Sequence, residues 1–394
     1  MLQSHIFLMF SYTFLIPHFT FLINFIYLCS MNERKRRMPA EWEHQSMVQL
    51  TWPHKDTDWA PILPEITAVY EAMAREILKR EDLLIVAPEG VHPPILHSQF
   101  SILNSNDTWA RDHGFITVLE ESGEFAPALD GMAASGAAAN SSLFTIHSSL
   151  KLLDFCFNGW GEKFPAALDN QINRHLYEEG RVEGTYEDHL DFVLEGGSIE
   201  SDGRGTIFTT TCCLMAPHRN QPLTQQEIED RLKQWLGAER IVWLNHGGLI
   251  GDDTDGHIDT LVRICPDDTL LYTGGDDDHP DLLEMEHELQ QLRTLDGRPY
   301  RLLKLPLPRP IYDRGEGLEV RGERLPATYA NYLVINGAVL VPTYNQPDLD
   351  AEALRIIGEA YPDREIVGID CRAVIRQHGS LHCCTMQYYE RPMA

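Results

Sequence analysis

The sequence predicts a mixed α/β protein built from ββαβ-type repeats, units of two strands, a helix and a further strand. Amphipathic helices recur along the chain, a short apolar strand follows most of them, and hairpin patterns fill the intervals. The first unit has a single strand before its helix, and the C-terminal strand has no partner in its own unit. Pairing of the last strand with the first would close a ring of five units.

The helices are predicted from apolar residues that recur with helical spacing, at 64–80, 167–177, 224–236, 282–292 and 351–360. The first of them has Pro64 in its opening turn. The third opens with a capping box of Thr224 and Glu227 and stops at Gly237. Apolar strands follow four of the helices, at 83–87, 241–244, 300–303 and 365–369, whereas no strand is apparent after the second helix.

Hairpins are predicted where two strand patterns flank a group of turn residues. The four stretches are 115–126, 198–211, 258–272 and 332–341, which turn near EESGE, SDGRG, PDD and the Asn336-Gly337 pair. Two single strands remain, at 47–51 and 381–386. We expect these two strands to pair with each other.

The composition limits the partners of the protein. Of its 394 residues, 43% are hydrophobic, which suits one large or two ordinary globular domains. The formal charge of −27 argues against a nucleic-acid-binding surface and favours a small cationic ligand. Eight irregularly spaced cysteines without a CxxC pair indicate reduced thiols, a cytoplasmic protein and no structural zinc site.

The N-terminal segment does not fit the repeat. Residues 6–28 are almost wholly apolar and uncharged, and the basic run NERKRR follows them. Their length would span a bilayer, so a membrane anchor is one interpretation. We instead expect residues 1–37 to lie outside the fold, with translation starting at Met31 or Met38, and residues 38–394 to form a single domain.

Five ionisable residues occupy equivalent places in the predicted repeat, where the first strand of a unit begins: Asp112, Glu195, His257, Asp259 and Cys383. In a closed ring these places lie at one end of the central axis, so the fragments converge on one pocket. Taken singly, an aspartate before a strand is usually a cap, and a cysteine on a strand is usually a core residue. Together they offer a thiolate nucleophile, a proton shuttle and a cation site, and a planar guanidinium fits paired carboxylates best.

Five motifs together resemble the agmatine deiminase family, which includes bacterial peptidyl-arginine deiminases and belongs to the guanidino-modifying superfamily. The motifs are NDTWARDHG (106–114), FNGWGEKFP (157–165), LEGGSIESDGRGTIFTT (194–210), GDDTDGHIDT (251–260) and LHCCTMQ (381–387). The resemblance runs from about residue 39 to residue 389. It implies a pseudo-symmetric five-bladed α/β-propeller that hydrolyses agmatine to N-carbamoylputrescine and ammonia, without a metal or an organic cofactor.

The resemblance also implies roles for the matching residues. Cys383 would form a covalent amidino-thioether with the substrate. His257 and Glu195 would protonate the departing ammonia and then activate water. Asp112 and Asp259 would clasp the guanidinium group.

Two tryptophans in these motifs have a second explanation, and one loop departs from the family pattern. Trp109 and Trp160 stand in motifs that line the family's pocket, although aromatic core residues are equally expected there. Much of the family reads Gly-Gly-Gly-Asn-Ile-His-Cys before the nucleophile, where residues 377–383 here read QHGSLHC. Ser380 thus replaces an amide side chain in a loop that we expect to border the pocket.

Several alternatives stay open. Relatives within the superfamily deiminate free or peptidyl arginine, and an amidinotransferase would use the same cysteine. A catalytically inactive propeller would instead bind polyamines or act as a scaffold. An arginine site needs a cation for the carboxylate, and the basic residues in the pocket motifs are Arg111 and Lys163, which structural roles also explain. We therefore expect a small guanidino substrate, agmatine, with no nucleic-acid or membrane partner, and leave homo-oligomerisation open.

Overall fold

The computed structural model of the chain describes residues 35–126, 143–313 and 322–390. The apolar segment 6–28, for which a membrane anchor and an upstream start codon are the competing interpretations, lies outside these residues. Within the described ranges, no helix combines the length and the apolar character that crossing a membrane requires.

The secondary structure mixes helices and strands throughout, so the predicted α/β class is confirmed. The strands are β1 Lys35–Arg37, β2 Gln45–Thr51, β3 Asp82–Ala87, β4 Gln99–Ile102, β5 Ile116–Ala126, β6 Leu143–Cys156, β7 Thr185–Val193, β8 Glu200–Ser201, β9 Thr206–Thr210, β10 Arg240–Leu244, β11 Val262–Cys265, β12 Thr269–Thr273, β13 Arg301–Leu305, β14 Leu333–Ile335, β15 Ala338–Thr343, β16 Glu365–Asp370 and β17 Thr385–Tyr389. The helices are α1 Leu63–Ile77, α2 Ala110–His113, α3 Gly159–Glu162, α4 Ile172–Glu178, α5 Thr211–Leu214, α6 Gln225–Leu236, α7 Pro280–Gln291 and α8 Pro347–Ala360.

One strand arrangement recurs in the sheets. In β8-β9-β10, β11-β12-β13 and β14-β15-β16, an antiparallel hairpin is followed by a helix and then by a strand parallel to the second hairpin strand. The helices in these crossovers are α6, α7 and α8. The sheet β17-β2-β3-β4 repeats the pattern across α1, with β17 as the antiparallel neighbour of β2. A helix crossover thus places each following strand parallel to its neighbour.

The helices and most of the hairpins agree with the sequence patterns. The capping box of Thr224 and Glu227 is formed at α6, and Gly237 ends that helix in the left-handed region with φ 69°. The predicted hairpin near EESGE is wrong, because β5 runs unbroken from Ile116 to Ala126. A Ser-Gly pair permits a turn without requiring one. Arg36 of β1 donates to Glu120 of β5 and so neutralises the charge of that glutamate.

Two compact units divide the described residues. The smaller unit comprises 35–36, 119–126 and 143–149, and the larger one comprises 37–118 and 150–390, apart from 314–321. The main apolar cluster of the larger unit includes residues from β2, β3, β14 and β15 and from helices α1 and α8.

The C-terminal strand pairs with the first strand of the larger unit, as predicted. Thr385 of β17 lies opposite Leu50 of β2, and the ladder is antiparallel. The predicted boundary is wrong, because residues 382–384 form a 3₁₀ turn and the strand begins only at Thr385. The backbone N–H groups of His382 and Cys383 donate to the side chain of Asn331 instead of to a neighbouring strand.

A buried arginine holds several of these elements together. The guanidinium of Arg263, which is 1% exposed, donates to Glu41 and, over 3.1 Å, to Glu200. It also donates to the backbone carbonyls of Ala330 and Tyr332 and lies 4.4 Å from the centre of the Tyr332 ring. Burial alone lowers the pKa of Arg263, but Glu200 and Glu41 outweigh it and raise that pKa well above its usual value. The arginine therefore stays charged.

We predict that Arg263→Leu lowers the free energy of unfolding by about 3–5 kcal/mol, because it leaves two buried carboxylates without a counter-charge. Arg355→Leu is the matched control, since that arginine is exposed on α8 and pairs with Glu359. The control should change stability by less than about 1 kcal/mol. Urea denaturation of both variants measures the difference, and equal losses would contradict the structural role of Arg263.

Candidate active site

A pocket of about 260 Å³ lies in the larger unit and contains most of the predicted site residues. It combines four carboxylates, three aromatic rings, a loop and one thiol. Its principal lining residues are Asp58, Asp107, Asp112, Asp253, Trp109, Trp160, Phe164, loop residues 376–379 and Cys383. The remaining predicted residues, Glu195, His257 and Asp259, are fully buried. Of these, His257 lies 3.7 Å from Asp112 and Asp259 lies 3.9 Å from Cys383, both of which line the pocket.

The repeat explains why these residues meet. Asp112 lies in α2 just before β5, Glu195 precedes β8, and His257 and Asp259 precede β11. Cys383 lies in the 3₁₀ turn before β17. Each catalytic candidate thus stands in the turn that leads into the first strand of its unit. The predicted place of Cys383 on a strand is corrected by a few residues, and the turn points its thiol at Asn331 and Asp259.

Asn331 completes this series and was missed in the sequence. It precedes β14, the first strand of the remaining unit, so the repeat itself offered the signal. Its side-chain oxygen accepts from the backbone N–H of His382 at 3.0 Å and from Cys383 Sγ at 3.4 Å. Asn331 therefore fixes both the backbone and the thiol of the turn that carries Cys383.

The surroundings of the Cys383 thiol disfavour its ionisation. Its side chain is 4% exposed, and Sγ lies 3.9 Å from Asp259 Oδ2. Burial raises the pKa of Cys383 well above its usual value, and the charges of Asp259 and Asp112 raise it further. A cation bound between these carboxylates would remove that penalty and favour the thiolate.

Asp112 is held in place by two donors. Trp160 Nε1 donates to Oδ2 at 3.0 Å, and the backbone N–H of Gly197 donates to Oδ1 at 3.0 Å. Burial raises the pKa of Asp112 to about 6; nearby His257 opposes this shift, while the charges of Asp259 and Glu195 add to it. Asp112 is therefore ionised above about pH 6.

Asp259 is bound by a buried histidine. His382 Nδ1 lies 2.7 Å from Asp259 Oδ2, and Nε2 of the same ring lies 2.9 Å from Glu41 Oε2. Burial alone raises the pKa of Asp259, but the hydrogen bond and charge of His382 outweigh it and lower that pKa. Because Glu41 also binds Arg263, the buried arginine is connected to the pocket through His382.

His257 and Glu195 form a second buried pair. Arg219 Nε lies 3.1 and 3.3 Å from the two oxygens of Glu195 and so fixes that carboxylate. His257 Nδ1 lies 3.7 Å from Asp112 Oδ1. Burial lowers the pKa of His257, yet Asp112, Cys213 and Glu195 outweigh burial and raise that pKa well above its usual value. The imidazole is therefore protonated at neutral pH and can act as a proton donor.

Gly197 allows three of these side chains to converge. A Cβ atom at this position would lie 2.6 Å from His257 Nδ1, 3.0 Å from Asp112 Oδ1 and 3.1 Å from Asp259 Oδ2. Any other residue would therefore push the two carboxylates and the imidazole apart. The second glycine of the LEGGSIE motif thus has a steric function.

The loop before Cys383 borders the pocket, as expected. Gly379 packs so closely on Trp109 that a Cβ atom would overlap the indole ring. Trp109 and Trp160 meet edge to face, with ring centres 6.4 Å apart. Ser380 does not line the pocket, and its hydroxyl lies 3.1 Å from the Tyr344 hydroxyl. The departure at Ser380 therefore alters the support of the loop.

The cation that lines the pocket is neither of the two that the sequence suggested. Arg111 donates to the side chain of Gln387, and Lys163 lies 2.8 Å from Asp255. Arg376 lines the pocket instead, and its Nε lies 3.3 Å from Asp313 Oδ1. Arg376 was missed because it directly precedes the loop that was expected to border the pocket, and its place in the lining depends on the 3₁₀ turn 374–377.

A sequence model of the Porphyromonas-type peptidyl-arginine deiminase family matches residues 37–388. The chain belongs to this family. The agmatine deiminase of Pseudomonas aeruginosa (strain LESB58) is 32% identical to it over 377 residues, covering 89% of this chain and 95% of the relative. Enzymes of this group hydrolyse guanidino C–N bonds.

Solved structures show the same fold. The substrate-bound Cys-to-Ser variant of C. jejuni agmatine deiminase is 33% identical, with a TM-score of 0.77 over 91% of this chain and 97% of its own. A Porphyromonas gingivalis protein provisionally described as an arginine deiminase is 46% identical, with a TM-score of 0.77 over 90% and 99%. Agmatine deiminase of Enterococcus faecalis is 25% identical, with a TM-score of 0.74 over 91% and 97%.

We predict that Asp112→Asn speeds alkylation of Cys383 by iodoacetamide, because it removes a charge that raises the thiol pKa. Each unit by which that pKa falls should give a net gain of roughly threefold, since the larger thiolate fraction outweighs lower nucleophilicity. Mass spectrometry of the Cys383 peptide measures the rate. Asp58→Asn, also in the pocket lining, is the control and should leave the rate unchanged; an equal gain in both variants would contradict this assignment.

Proposed function

We propose that this protein hydrolyses agmatine to N-carbamoylputrescine and ammonia. The observation that supports this most is the Cys383 thiol facing two buried carboxylates, Asp112 and Asp259, in a small acidic pocket. A guanidinium held by both carboxylates would present its central carbon to the sulfur. The same cation would stabilise the thiolate, so nucleophile and substrate activate each other.

The residues behind the pocket supply the proton transfers. The Cys383 thiolate attacks the guanidinium carbon, and the imidazolium of His257 gives its proton to the departing nitrogen, which leaves as ammonia. Water then attacks the amidino-thioether while His257, held near Glu195, accepts its proton. Collapse of the second tetrahedral intermediate breaks the C–S bond and regenerates the thiolate, and the hydroxyl proton passes to the released ammonia or to solvent, which yields the neutral ureido group of the product and ammonium.

The rest of the pocket favours a primary amine at the other end of the substrate. Asp58, Asp107 and Asp253 line it, and burial raises the pKa values of Asp107 and Asp253 to about 6. These acids suit the ammonium of agmatine and disfavour the carboxylate of free arginine. A volume of about 260 Å³ is below the range of about 300–1,000 Å³ for drug-sized ligands, which favours a small molecule over a peptide.

Deimination of peptidyl arginine is the second candidate. Arg376 is the observation in its favour, because a cation in the pocket lining would bind the carboxylate of a C-terminal arginine. The ion pair of Arg376 with Asp313 competes with that role. An inactive polyamine-binding scaffold is disfavoured by the complete set of proton donors, carboxylates and thiol.

The finer architecture is also part of this proposal. Sheets of similar strand order, with β17 paired to β2, support a five-bladed propeller formed by residues 38–394. Seven cysteines of the described ranges are free thiols, which supports a cytoplasmic location.

We predict that Cys383→Ser lowers kcat for agmatine at least about 1,000-fold, since a serine hydroxyl is not ionised here. Cys384→Ser is the matched control, because that thiol donates to the Ser380 carbonyl and does not line the pocket. Ammonia release and product mass are measured with agmatine, free arginine, and peptides with internal or C-terminal arginine. Faster turnover of the C-terminal arginine peptide would replace agmatine with the second candidate.

We predict that kcat/KM falls about tenfold per pH unit below about pH 6. Asp112 has a raised pKa, so its carboxylate is charged above that pH and neutral below it, where it no longer attracts a guanidinium. Asp107→Asn and Asp253→Asn serve as controls, because those groups titrate near the same pH. If either control abolished the acidic limb, Asp112 would not be the group that controls it.

A further inference from the structure

Cys213 lies beside the proposed proton-transfer pair and has no role in the proposed reaction. It belongs to α5, is fully buried and does not line the pocket. One ligating atom each from Glu195, Cys213 and His257 lies within 4.8 Å of the other two. We refer to these three residues as the Glu–Cys–His cluster.

The backbone around the cluster is fixed. Thr210 caps α5 by accepting from the backbone N–H of Cys213 at 3.2 Å. The same hydroxyl donates to the carbonyl of Gly256, which precedes His257, at 2.7 Å. Thr210 therefore ties the turn that carries the thiol to the turn that carries the imidazole, and Arg219 fixes the carboxylate.

The imidazole of His257 points independently to a missing ligand. Among the described residues neither ring nitrogen makes a hydrogen bond of ordinary geometry, although the residue is fully buried. Asp112 Oδ1 lies 3.7 Å from Nδ1, and the ring interacts with the Cys213 thiol. A buried polar group that makes no such bond is destabilising. A metal ion between the imidazole and the thiol would satisfy one of these nitrogens.

The donor set selects the class of ion. Thiolate and imidazole favour zinc-like transition metals, whereas magnesium and calcium prefer oxygen ligands throughout. A tetrahedral zinc ion holds its ligand atoms about 3.5 Å apart, so the cluster closes around it with shifts of roughly 1 Å. The bond from Arg219 does not block the site, because each carboxylate oxygen keeps a second lone pair.

We propose that the Glu–Cys–His cluster is a zinc-binding site whose occupation inhibits the enzyme. On binding, the Cys213 thiol and the His257 imidazolium each release a proton to solvent, and water fills the fourth position. His257 and Glu195 then no longer transfer protons, so turnover stops until a chelator removes the metal. The inhibition rests on the proposed function, whereas the binding does not.

Cobalt(II), which replaces zinc and absorbs light when bound to thiolate, tests the binding without reference to activity. The full chain is titrated as the wild type and as Cys213→Ala, Cys213→Ser, Cys212→Ala and Cys383→Ala. Cys212 is the matched control, because it neighbours Cys213 but is exposed and outside the cluster. We expect the thiolate-to-cobalt band in the wild type and in the Cys212 and Cys383 variants, and its loss in both Cys213 variants.

Two outcomes of this titration would overturn the proposal. The first is absence of the band in the wild type. The second is loss of the band in Cys383→Ala together with its retention in Cys213→Ala, because that result would place the metal on Cys383. Circular dichroism checks that each variant is folded. X-ray absorption of zinc-loaded Cys383→Ala is a further test that leaves Cys213 unchanged. It should show one sulfur among nitrogen and oxygen ligands of the zinc. A coordination shell without sulfur would also overturn the proposal.

The inhibition is tested on turnover of the best substrate. The zinc concentration for half inhibition should rise at least tenfold in Cys213→Ser relative to Cys212→Ala, each compared with its own metal-free rate. Equal sensitivity of the two variants would overturn the inhibitory role. If the wild type turned over no guanidino substrate, the proposed function would fail, and the cobalt titration would still decide whether the site binds metal.

Discussion

The structure depends on the charge of Arg263, a guanidinium buried among elements that are far apart in sequence. It neutralises Glu41 and Glu200, which lie in different parts of the chain, and binds the carbonyls that precede β14. Without this arginine, the two carboxylates would become protonated or would destabilise the folded state. Because Glu41 also binds His382, the same charge determines how the ring beside Asp259 is oriented.

This connection explains how a site so rich in acids remains folded. Asp259 is held ionised by His382, whereas Asp112 is left with a pKa of about 6 and Cys383 with a raised one. These three groups thus comprise one carboxylate that is held ionised and two groups whose protonation responds to a bound cation. A neutral ligand would gain nothing from this arrangement, so selectivity for a cation is combined with activation of the nucleophile.

The repeat made much of this predictable from the sequence. Asp112, Glu195, His257, Asp259 and Cys383 were found because each precedes the first strand of a unit, a relation that survives errors of a few residues in strand boundaries. Asn331 holds the equivalent position in the remaining unit and was missed because an asparagine carries no catalytic signature.

Other features could not be predicted, because they depend on side-chain direction in three dimensions. Arg376 reaches the pocket from the 3₁₀ turn Val374–Gln377, and Cys213 approaches His257 through the packing of a single helical turn. The unbroken strand β5 was missed because turn residues allow an extended backbone as readily as a bend. Sequence patterns therefore predicted where the backbone of the site lies better than they predicted which further side chains reach it.

The pairing of β17 with β2 has a consequence for how the protein folds. It joins residues 385–389 to residues 45–50, and most units supply one residue of the site immediately before a strand. Contacts between such distant segments form late, because the entropy of closing long loops must be overcome first. Helices of a partly folded chain would already give a circular dichroism signal while its thiol had no carboxylates around it. Recovery of catalysis during refolding should therefore lag behind recovery of secondary structure, which makes turnover a selective reporter of the completed fold.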